Sequence, residues 1–188
     1  MSIIDHIQRC NAHDLSAYKP LLITGERVGW VNDGVMDVLN SVHGFDVSSQ
    51  AAVISPNSET FDDRSRLLTD GSIALLEAGF IRGFRNELYG VKNRWTDPAH
   101  ALVDRGAVAA FGFRSYGVHV NGWVHGADEP DLWIGTRSMS ANVDPGKLDN
   151  MVAGGQPYGL SLHENIIKEA AEEANVSPDL AAQAKPVG

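Results

Sequence analysis

The sequence predicts an α+β fold in two domains, a mixed α/β domain over residues 1–112 and a second domain over residues 113–188. Three observations predict it. Short apolar runs with strand and helix spacing alternate in the first half, strand-like alternation begins near Ser115, and an amphipathic helix follows a glycine-rich turn near the end. A chain of 188 residues is long enough for one ordinary domain, or for one small domain and part of another.

The elements of the first half follow from apolar spacing and from turn residues. Gly25 interrupts the run LLITGERVGWV, which indicates either a strand pair or one bent strand. Proline is tolerated in the first turn of a helix, so Pro98 marks a helix start. The predicted order is a helix at 2–12, strand structure at 21–31, a helix at 35–42, a strand at 51–54, a helix at 62–78 with a soft break at Asp70-Gly71, a strand at 87–91, and a helix from Pro98 to about Phe111.

The second half is predicted to contain strands followed by one helix. Tyr116, Val118 and Val120 alternate with small or polar residues, which predicts one strand running to Val124. The remaining elements before the helix are a turn at 126–130, a strand at 132–135 that completes a hairpin, a polar loop at 138–146, and a strand at 148–153.

The helix is predicted to begin after Ser161. Ser161 stands three residues before Glu164, the spacing of a capping box, in which the hydroxyl and the carboxylate each accept a backbone N–H that would otherwise lack a partner. Asn175 is a suitable stop because Asn accepts the left-handed conformation that often closes a helix. Four apolar residues spaced by four give this helix one apolar face: Leu162, Ile166, Ala170 and Ala174.

Composition narrows the classes of partner. The net charge of −9 argues against nucleic acid or an anionic membrane as the main partner, although a metal ion could still mediate binding of a phosphorylated small molecule.

The lone cysteine, Cys10, cannot form an internal disulfide, and its place on an apolar stripe predicts a buried packing role. The sequence has no signal-like start and no apolar run that would span a bilayer, so a cytoplasmic location is expected.

Three glutamates crowd one side of the last helix. At about 100° per residue, Glu169, Glu172 and Glu173 fall within an arc of roughly 100°. Lys168 precedes Glu172 by four residues, but one lysine cannot balance three carboxylates, and a hard divalent cation with oxygen ligands could. Glutamate clusters on helices are more often solvated surface, so the helix alone leaves both interpretations open.

The spacing of the whole segment adds a family resemblance. Gly154 to Val176, GGQPYGLSLHENIIKEAAEEANV, resembles the Nudix box, in which a Gly, a Glu, an Arg-Glu pair and a Glu-Glu pair recur at fixed spacing. The resemblance implies a Nudix α/β/α sandwich, here partial, and a Mg²⁺ cofactor, with Mn²⁺ as an alternative. It also implies the metal ligands, which match Glu169, Glu172 and Glu173. The chain departs from the pattern with Leu160 for Glu, Lys168 for Arg and Asn175 for Gly.

Further stretches resemble one Nudix subfamily, which is related to thiamine pyrophosphokinase and carries an extra N-terminal α/β domain. In that subfamily Leu and Lys are ordinary at the first two departing positions. The resemblance implies a damaged thiamine diphosphate as substrate, and it leads us to expect a C-terminally truncated Nudix domain here. The matching stretches are Asp104–Gly112, Tyr116–Gly122, Leu132–Gly135 and Leu148–Gly155.

The remaining site residues surround the glycine turn. Gly154 and Gly155 let the backbone approach a phosphate closely, and we expect them to bind substrate. Arg137 could reach a substrate phosphate, although a surface arginine is the commoner case, and Asp149 could line the pocket or pack in the sheet. His119 and His125, with Asp128, form a weaker candidate metal site, for which solvent-facing histidines are the commoner interpretation.

These observations lead to one main function and two rivals. The main hypothesis is a Mg²⁺-dependent hydrolase that cleaves a nucleoside-diphosphate-linked or thiamine-diphosphate-like small molecule to a monophosphate. Its expected catalytic residues are Glu172, Glu173 and Lys168. The rivals are a non-catalytic diphosphate-binding module on a truncated Nudix scaffold, and a Nudix-fold isomerase. The N-terminal domain either closes over the substrate or mediates a homodimer, and the sequence favours neither.

Overall fold

The computed structural model describes residues 2–12, 14–54, 60–126, 129–141 and 144–187. The chain divides into two compact units, Met1–Arg114 and Ser115–Gly188. Both helices and strands are present, and the strands lie in several small sheets, which confirms the predicted α+β class. Within the described ranges, no helix is long and apolar enough to cross a membrane.

The first unit holds a mixed four-stranded sheet with helices and a separate strand pair. In chain order its elements are α1 (Ile3–Asn11), β1 (Tyr18–Ile23), β2 (Glu26–Asn32), α2 (Asp33–Asn40), β3 (Phe45–Val47), β4 (Ala52–Ile54), α3 (Phe61–Glu77), β5 (Leu88–Val91), β6 (Ala101–Asp104), a 3₁₀ turn (Arg105–Ala107) and α4 (Val108–Phe111). The four-stranded sheet has the order β2-β1-β4-β3, with β1 parallel to β4 and the other two pairs antiparallel, and β5 pairs with β6 antiparallel.

The core of the first unit is continuous and apolar. Leu21 and Ile23 from β1 are fully buried, and they share one cluster with Leu39 of α2, Leu75 of α3 and Phe111 of α4. Burial of this size stabilises the unit mainly through the hydrophobic effect, since each fully buried leucine or isoleucine contributes on the order of 2 kcal/mol.

Two expectations for helices of the first unit were wrong. Helix α3 has no break at Asp70-Gly71, because Gly71 lets the helix pack closely: a Cβ built there would lie 3.0 Å from Phe45 Cζ. The predicted helix from Pro98 to Phe111 is instead β6 followed by the short α4. Ala101 and Val103 are buried on one side of β6, where pairing with β5 overrides the start signal of the proline.

The expectation that Cys10 is buried was also wrong. Helix α1 has the predicted amphipathic pattern and a capping box between Ser2 and Asp5, but all of its residues are exposed, including Cys10. An apolar stripe on a helix therefore did not imply a packed face here.

The second unit places two small antiparallel sheets beside one long helix. The elements are β7 (Gly117–Val120), β8 (Gly122–Val124), β9 (Asp131–Thr136), β10 (Leu148–Asn150), β11 (Val152–Gly155), α5 (Leu162–Ala174) and α6 (Pro178–Ala181). One sheet has the order β10-β9-β8, and β11 pairs with β7.

Two strands predicted as continuous are each divided in this unit. The run ending at Val124 breaks at Asn121, and the run from Leu148 to Ala153 breaks at Met151. The cause is a change of partner, because β7 pairs with β11 whereas β8 and β10 both pair with β9. The predicted hairpin of β8 and β9 is confirmed.

Helix α5 begins and ends where the sequence predicts. Ser161 Oγ accepts the N–H of Glu164, and the Glu164 side chain accepts the N–H of Ser161 at 2.8 Å, which completes the capping box. Asn175 closes the helix with φ 52° and ψ 32°, the left-handed conformation. Ala170 packs with Val152 and Ala181 in a small core that fixes α5 against β11.

Candidate functional site

Helix α5 brings two of its glutamates directly onto strand β11. Glu169 lies against Gly154, and a Cβ built on that glycine would overlap the Cγ, Cδ and Oε2 atoms of the glutamate. Only a residue without a side chain leaves room for the carboxylate at this point of the strand. Glu169 is 6% exposed as a result, which is unusual for an ionisable residue.

Glu173 contacts the same strand one residue earlier. Its Oε2 accepts the backbone N–H of Ala153 at 2.8 Å. A carboxylate that accepts a backbone N–H makes a charge-assisted bond, which is stronger than a neutral one. Glu173 is exposed, so this bond fixes one oxygen and leaves the side chain open to solvent.

Lys168 pairs with Glu169 and Glu172. Its Nζ lies 2.9 Å from Glu169 Oε1 and 3.2 Å from Glu172 Oε2. The hydrogen bond to Glu169, followed by that to Glu172, raises the pKa of the Lys168 ammonium above its ordinary value. One ammonium thus offsets part of the charge of three carboxylates, and a net negative charge stays on this face.

The donor set suits a hard divalent cation, but the side chains do not converge on one point. Carboxylate oxygens are the ligands that Mg²⁺ prefers in proteins. Across the described ranges, no group of three His, Cys, Asp or Glu side chains is close enough to hold a metal ion. Glu169 points at Gly154, Glu173 at the Ala153 amide, and Glu172 is 59% exposed beside Lys168. Holding a cation therefore requires rotation of Glu172 and Glu173, which are both exposed.

A cleft of about 550 Å³ lies on the second unit beside β11. It is lined by all four residues that the sequence predicts to bind substrate: Gly154, Gly155, Arg137 and Asp149. Ala153 lines it too, so the strand that contacts Glu169 and Glu173 also forms a wall of the cleft. The glutamates and Lys168 are not among the residues that line the cleft, and β11 connects only Glu169 and Glu173 to it.

An ion pair at this cleft joins Arg137, the residue after β9, to Asp149 of β10. Arg137 Nη1 donates to Asp149 Oδ2 at 2.6 Å, and this hydrogen bond lowers the pKa of Asp149 below its ordinary value. Both side chains are only partly exposed, at 34% and 25%. Asp149 therefore holds the guanidinium of Arg137 in place at the cleft.

The cleft contains residues that the sequence analysis did not single out for it. Lys147 lines the cleft and pairs with Asp144 across a turn, so a second cation stands near Arg137. His119 also lines the cleft, and its Nδ1 lies 2.8 Å from Asn150 Oδ1. Asp128, the proposed partner of His119 and His125, lies outside the described residues. The alternation of β7 could have placed His119 here, because it opposes Ala153 across the pair of strands.

A second cleft lies in the first unit and contains none of the expected site residues. Its volume is about 780 Å³, and its lining includes His43, Asp46, Asp63 and Arg66. Asp63 accepts a hydrogen bond from the Thr60 hydroxyl and forms an ion pair with Arg66.

Two relatives match almost the whole of this chain. The chain is 36% identical over 190 residues to "Nudix hydrolase 24, chloroplastic" and 35% identical over 196 residues to "Nudix hydrolase 20, chloroplastic", both from Arabidopsis thaliana. Each match covers 98% of this chain and 52% of the relative, so the chain spans about half the length of these proteins. Both relatives carry the name Nudix hydrolase, the family that the segment Gly154 to Val176 resembles.

A further relative carries no functional name. "Uncharacterized protein YJR142W" from Saccharomyces cerevisiae (strain ATCC 204508 / S288c) is 34% identical over 125 residues, which is 63% of this chain and 36% of that protein. Residues 2–115 match a family model described as "Domain of unknown function (DUF4743)". This match covers more than half of the 188 residues, and the chain therefore belongs to the family of that domain.

Proposed function

We propose that the second unit carries a Nudix-type, divalent-metal-dependent diphosphatase site. The substrate is a nucleoside-diphosphate-linked or thiamine-diphosphate-like small molecule, and the product is a monophosphate. One observation carries the proposal: β11 joins the two halves of the site. Its residues Ala153 and Gly154 contact Glu173 and Glu169 and also line the cleft that contains Arg137.

Arg137 and the two glycines of the turn are proposed to bind different parts of the diphosphate. Arg137 is held at the cleft by Asp149, and a guanidinium suits phosphate oxygens because it donates two parallel hydrogen bonds. Gly154 and Gly155 present backbone without side chains, which allows a phosphate to approach closely. The diphosphate is therefore proposed to lie along β11 with Arg137 at one end.

The carboxylates are proposed to hold Mg²⁺, with Mn²⁺ as a substitute. Glu169, Glu172 and Glu173 are the ligands. When bound, the ion supplies neutralisation of the diphosphate charge and a lowered pKa for a coordinated water. Lys168 keeps Glu169 and Glu172 in a common orientation through its two ion pairs. Glu172 or Glu173 is proposed to remove the proton of the attacking water.

The test is monophosphate release by the 188-residue chain. Thiamine diphosphate and a panel of nucleoside diphosphate derivatives are incubated with Mg²⁺, with Mn²⁺ and with EDTA. We expect release that requires the metal and that Glu172→Gln abolishes. Glu164→Gln is the matched control, since Glu164 lies on the same helix but serves only its cap. Release that survives EDTA, or near-normal release by Glu172→Gln, would contradict the proposal.

A second candidate is a non-catalytic diphosphate-binding module. It is favoured by the absence, in the ranges that the structure describes, of three converging metal-ligating side chains. Calorimetry separates the two, because a binding module takes up a diphosphate without releasing product. Mass spectrometry of the products identifies an isomerase, whose product would have the mass of its substrate.

The cytoplasm is the compartment proposed for this reaction. Fluorescence microscopy of the tagged chain tests it, and a signal confined to an organelle would contradict it.

A further inference from the structure

A buried amide continues the row of contacts between α5 and β11. Asn165 is fully buried, and it precedes Glu169 by four residues, so both lie on one face of the helix. Its Nδ2 donates to the backbone oxygen of Gly155 at 2.9 Å. Along α5, Asn165, Glu169 and Glu173 thus meet Gly155, Gly154 and Ala153 in turn.

A second amide fixes the orientation of the first. Gln156 Nε2 donates to the oxygen of Leu160 at 2.8 Å, so its Oε1 turns towards Asn165 and accepts the second Nδ2 proton at 3.1 Å. The backbone N–H of Gln156 donates to the oxygen of Tyr116 at 2.9 Å. Both donors of the Asn165 amide are therefore used to tie the glycine turn to the helix.

The amide oxygen of Asn165 is different. Among the residues that the structure describes, no group donates a hydrogen bond to Asn165 Oδ1, although the atom is buried. An unsatisfied buried acceptor costs free energy, but an apolar side chain here would remove the donors to the Gly155 oxygen and to Gln156 Oε1. The two donors, and not the oxygen, therefore account for an amide at this position, and both are engaged with the turn.

We infer that Asn165 is a positioning residue for the glutamate site. It holds the carbonyl of Gly155, and that keeps Gly154 seated against Glu169. This inference rests on the proposed function for its metal readout, but not for its structural one. Asn165 is not among the residues that line the cleft, so its effect on metal binding passes through the turn.

The test compares Asn165 variants with a variant of matched stability. Asn165→Leu removes the donors and the unsatisfied oxygen, and Asn165→Asp keeps the shape but replaces the donors with acceptors. Val152→Ala is the control, because Val152 lies in the small core between α5 and β11 and is not a partner in the hydrogen bonds of Asn165. Amide hydrogen exchange over residues 154–160 is measured in all of them, together with Mn²⁺ affinity by electron paramagnetic resonance.

We expect faster exchange at residues 154–160 in both Asn165 variants and a loss of Mn²⁺ affinity of about 10- to 100-fold, as for other residues that orient metal ligands. Val152→Ala should lower Mn²⁺ affinity less than Asn165→Leu does, because it shortens a core side chain but leaves both donors of Asn165 on the turn. Equal losses in Val152→Ala and Asn165→Leu, or unchanged exchange in the Asn165 variants, would overturn the inference. A wild-type chain that binds no Mn²⁺ would refute the proposed function instead, and the exchange data would still decide the role of Asn165 in the turn.

Discussion

Gly154 lies so close to Glu169 that the glutamate side chain fills the space where a Cβ would stand. The two residues are therefore one structural unit, although fourteen residues separate them in the chain. Gly154 lines the cleft and Glu169 is one of the three glutamates of α5, so this contact links the proposed substrate site to the proposed metal ligands.

The first prediction concerns this contact. Gly154→Ala should lower the free energy of unfolding by about 1–3 kcal/mol, the usual cost of overpacking, because its methyl group collides with Glu169. Glu169→Ala removes the colliding atoms, so adding it to Gly154→Ala should recover most of the loss. Urea unfolding of the two single variants and the double variant measures the coupling. Simple addition of the two single effects would mean that the residues do not interact.

A second prediction separates the two neighbouring glutamates. Glu173→Ala should cost about 1 kcal/mol of stability, because the N–H of Ala153 loses its charged acceptor. Glu172→Ala should stay within about 0.5 kcal/mol, since that side chain is 59% exposed and its ion pair with Lys168 is at the surface. Thermal unfolding of both variants provides the measurement. The reverse order of stabilities would contradict the bond to β11.

The third prediction uses the pKa of Lys168. Hydrogen bonding to Glu169 raises this pKa above 10.5, its ordinary value, so the folded state holds the proton more tightly than the unfolded state. The stabilisation is complete below the ordinary pKa, and it is lost as the pH rises through the higher folded-state pKa. Wild-type stability should therefore fall more steeply than that of Lys168→Met as the pH rises above 10.5. Parallel curves for the two proteins in urea unfolding would refute this contribution.

A fourth prediction concerns recognition at the cleft. Arg137→Gln should weaken diphosphate binding about 10-fold or more, because a charge-assisted hydrogen bond contributes roughly 1.5–3 kcal/mol. Arg137→Lys keeps the charge but loses the paired donors, so it should recover only part of the affinity. Calorimetric titration with a non-hydrolysable diphosphate analogue measures this. The matched control is Arg66→Gln, an exposed arginine on α3 in the first unit, which should bind as the wild type does.

Local signals in the sequence predicted α5 well, because they depend only on neighbours in the chain. The Ser161 and Glu164 capping box and the left-handed Asn175 both follow from residue type and spacing. The arc of three glutamates is likewise a consequence of helix geometry. What each carboxylate contacts could not be read in this way, since the Ala153 amide and Gly154 are brought to the helix by strand pairing.

The errors of the sequence analysis have the same origin. Strand β6 lies where Pro98 suggested a helix, and its pairing with β5 is a long-range property that local preference does not contain. Cys10 sits on an amphipathic helix whose apolar face is exposed, so periodicity indicated a stripe but not a partner for it. Asn165 was not predicted as a site residue, because its hydrogen bond to the glycine turn forms only in the folded chain.

Helix α5 and strand β11 advance by different distances per residue along their row of contacts. Four helical residues rise about 6 Å, whereas one strand residue advances about 3.3 Å. Asn165, Glu169 and Glu173 can meet Gly155, Gly154 and Ala153 only over a short overlap, with side chains reaching by different amounts. Inserting or deleting a single residue between Asn165 and Glu173 would rotate the rest of the helix by about 100°, and the contacts with β11 beyond that point would be lost. This segment should therefore accept substitutions far more readily than changes of length.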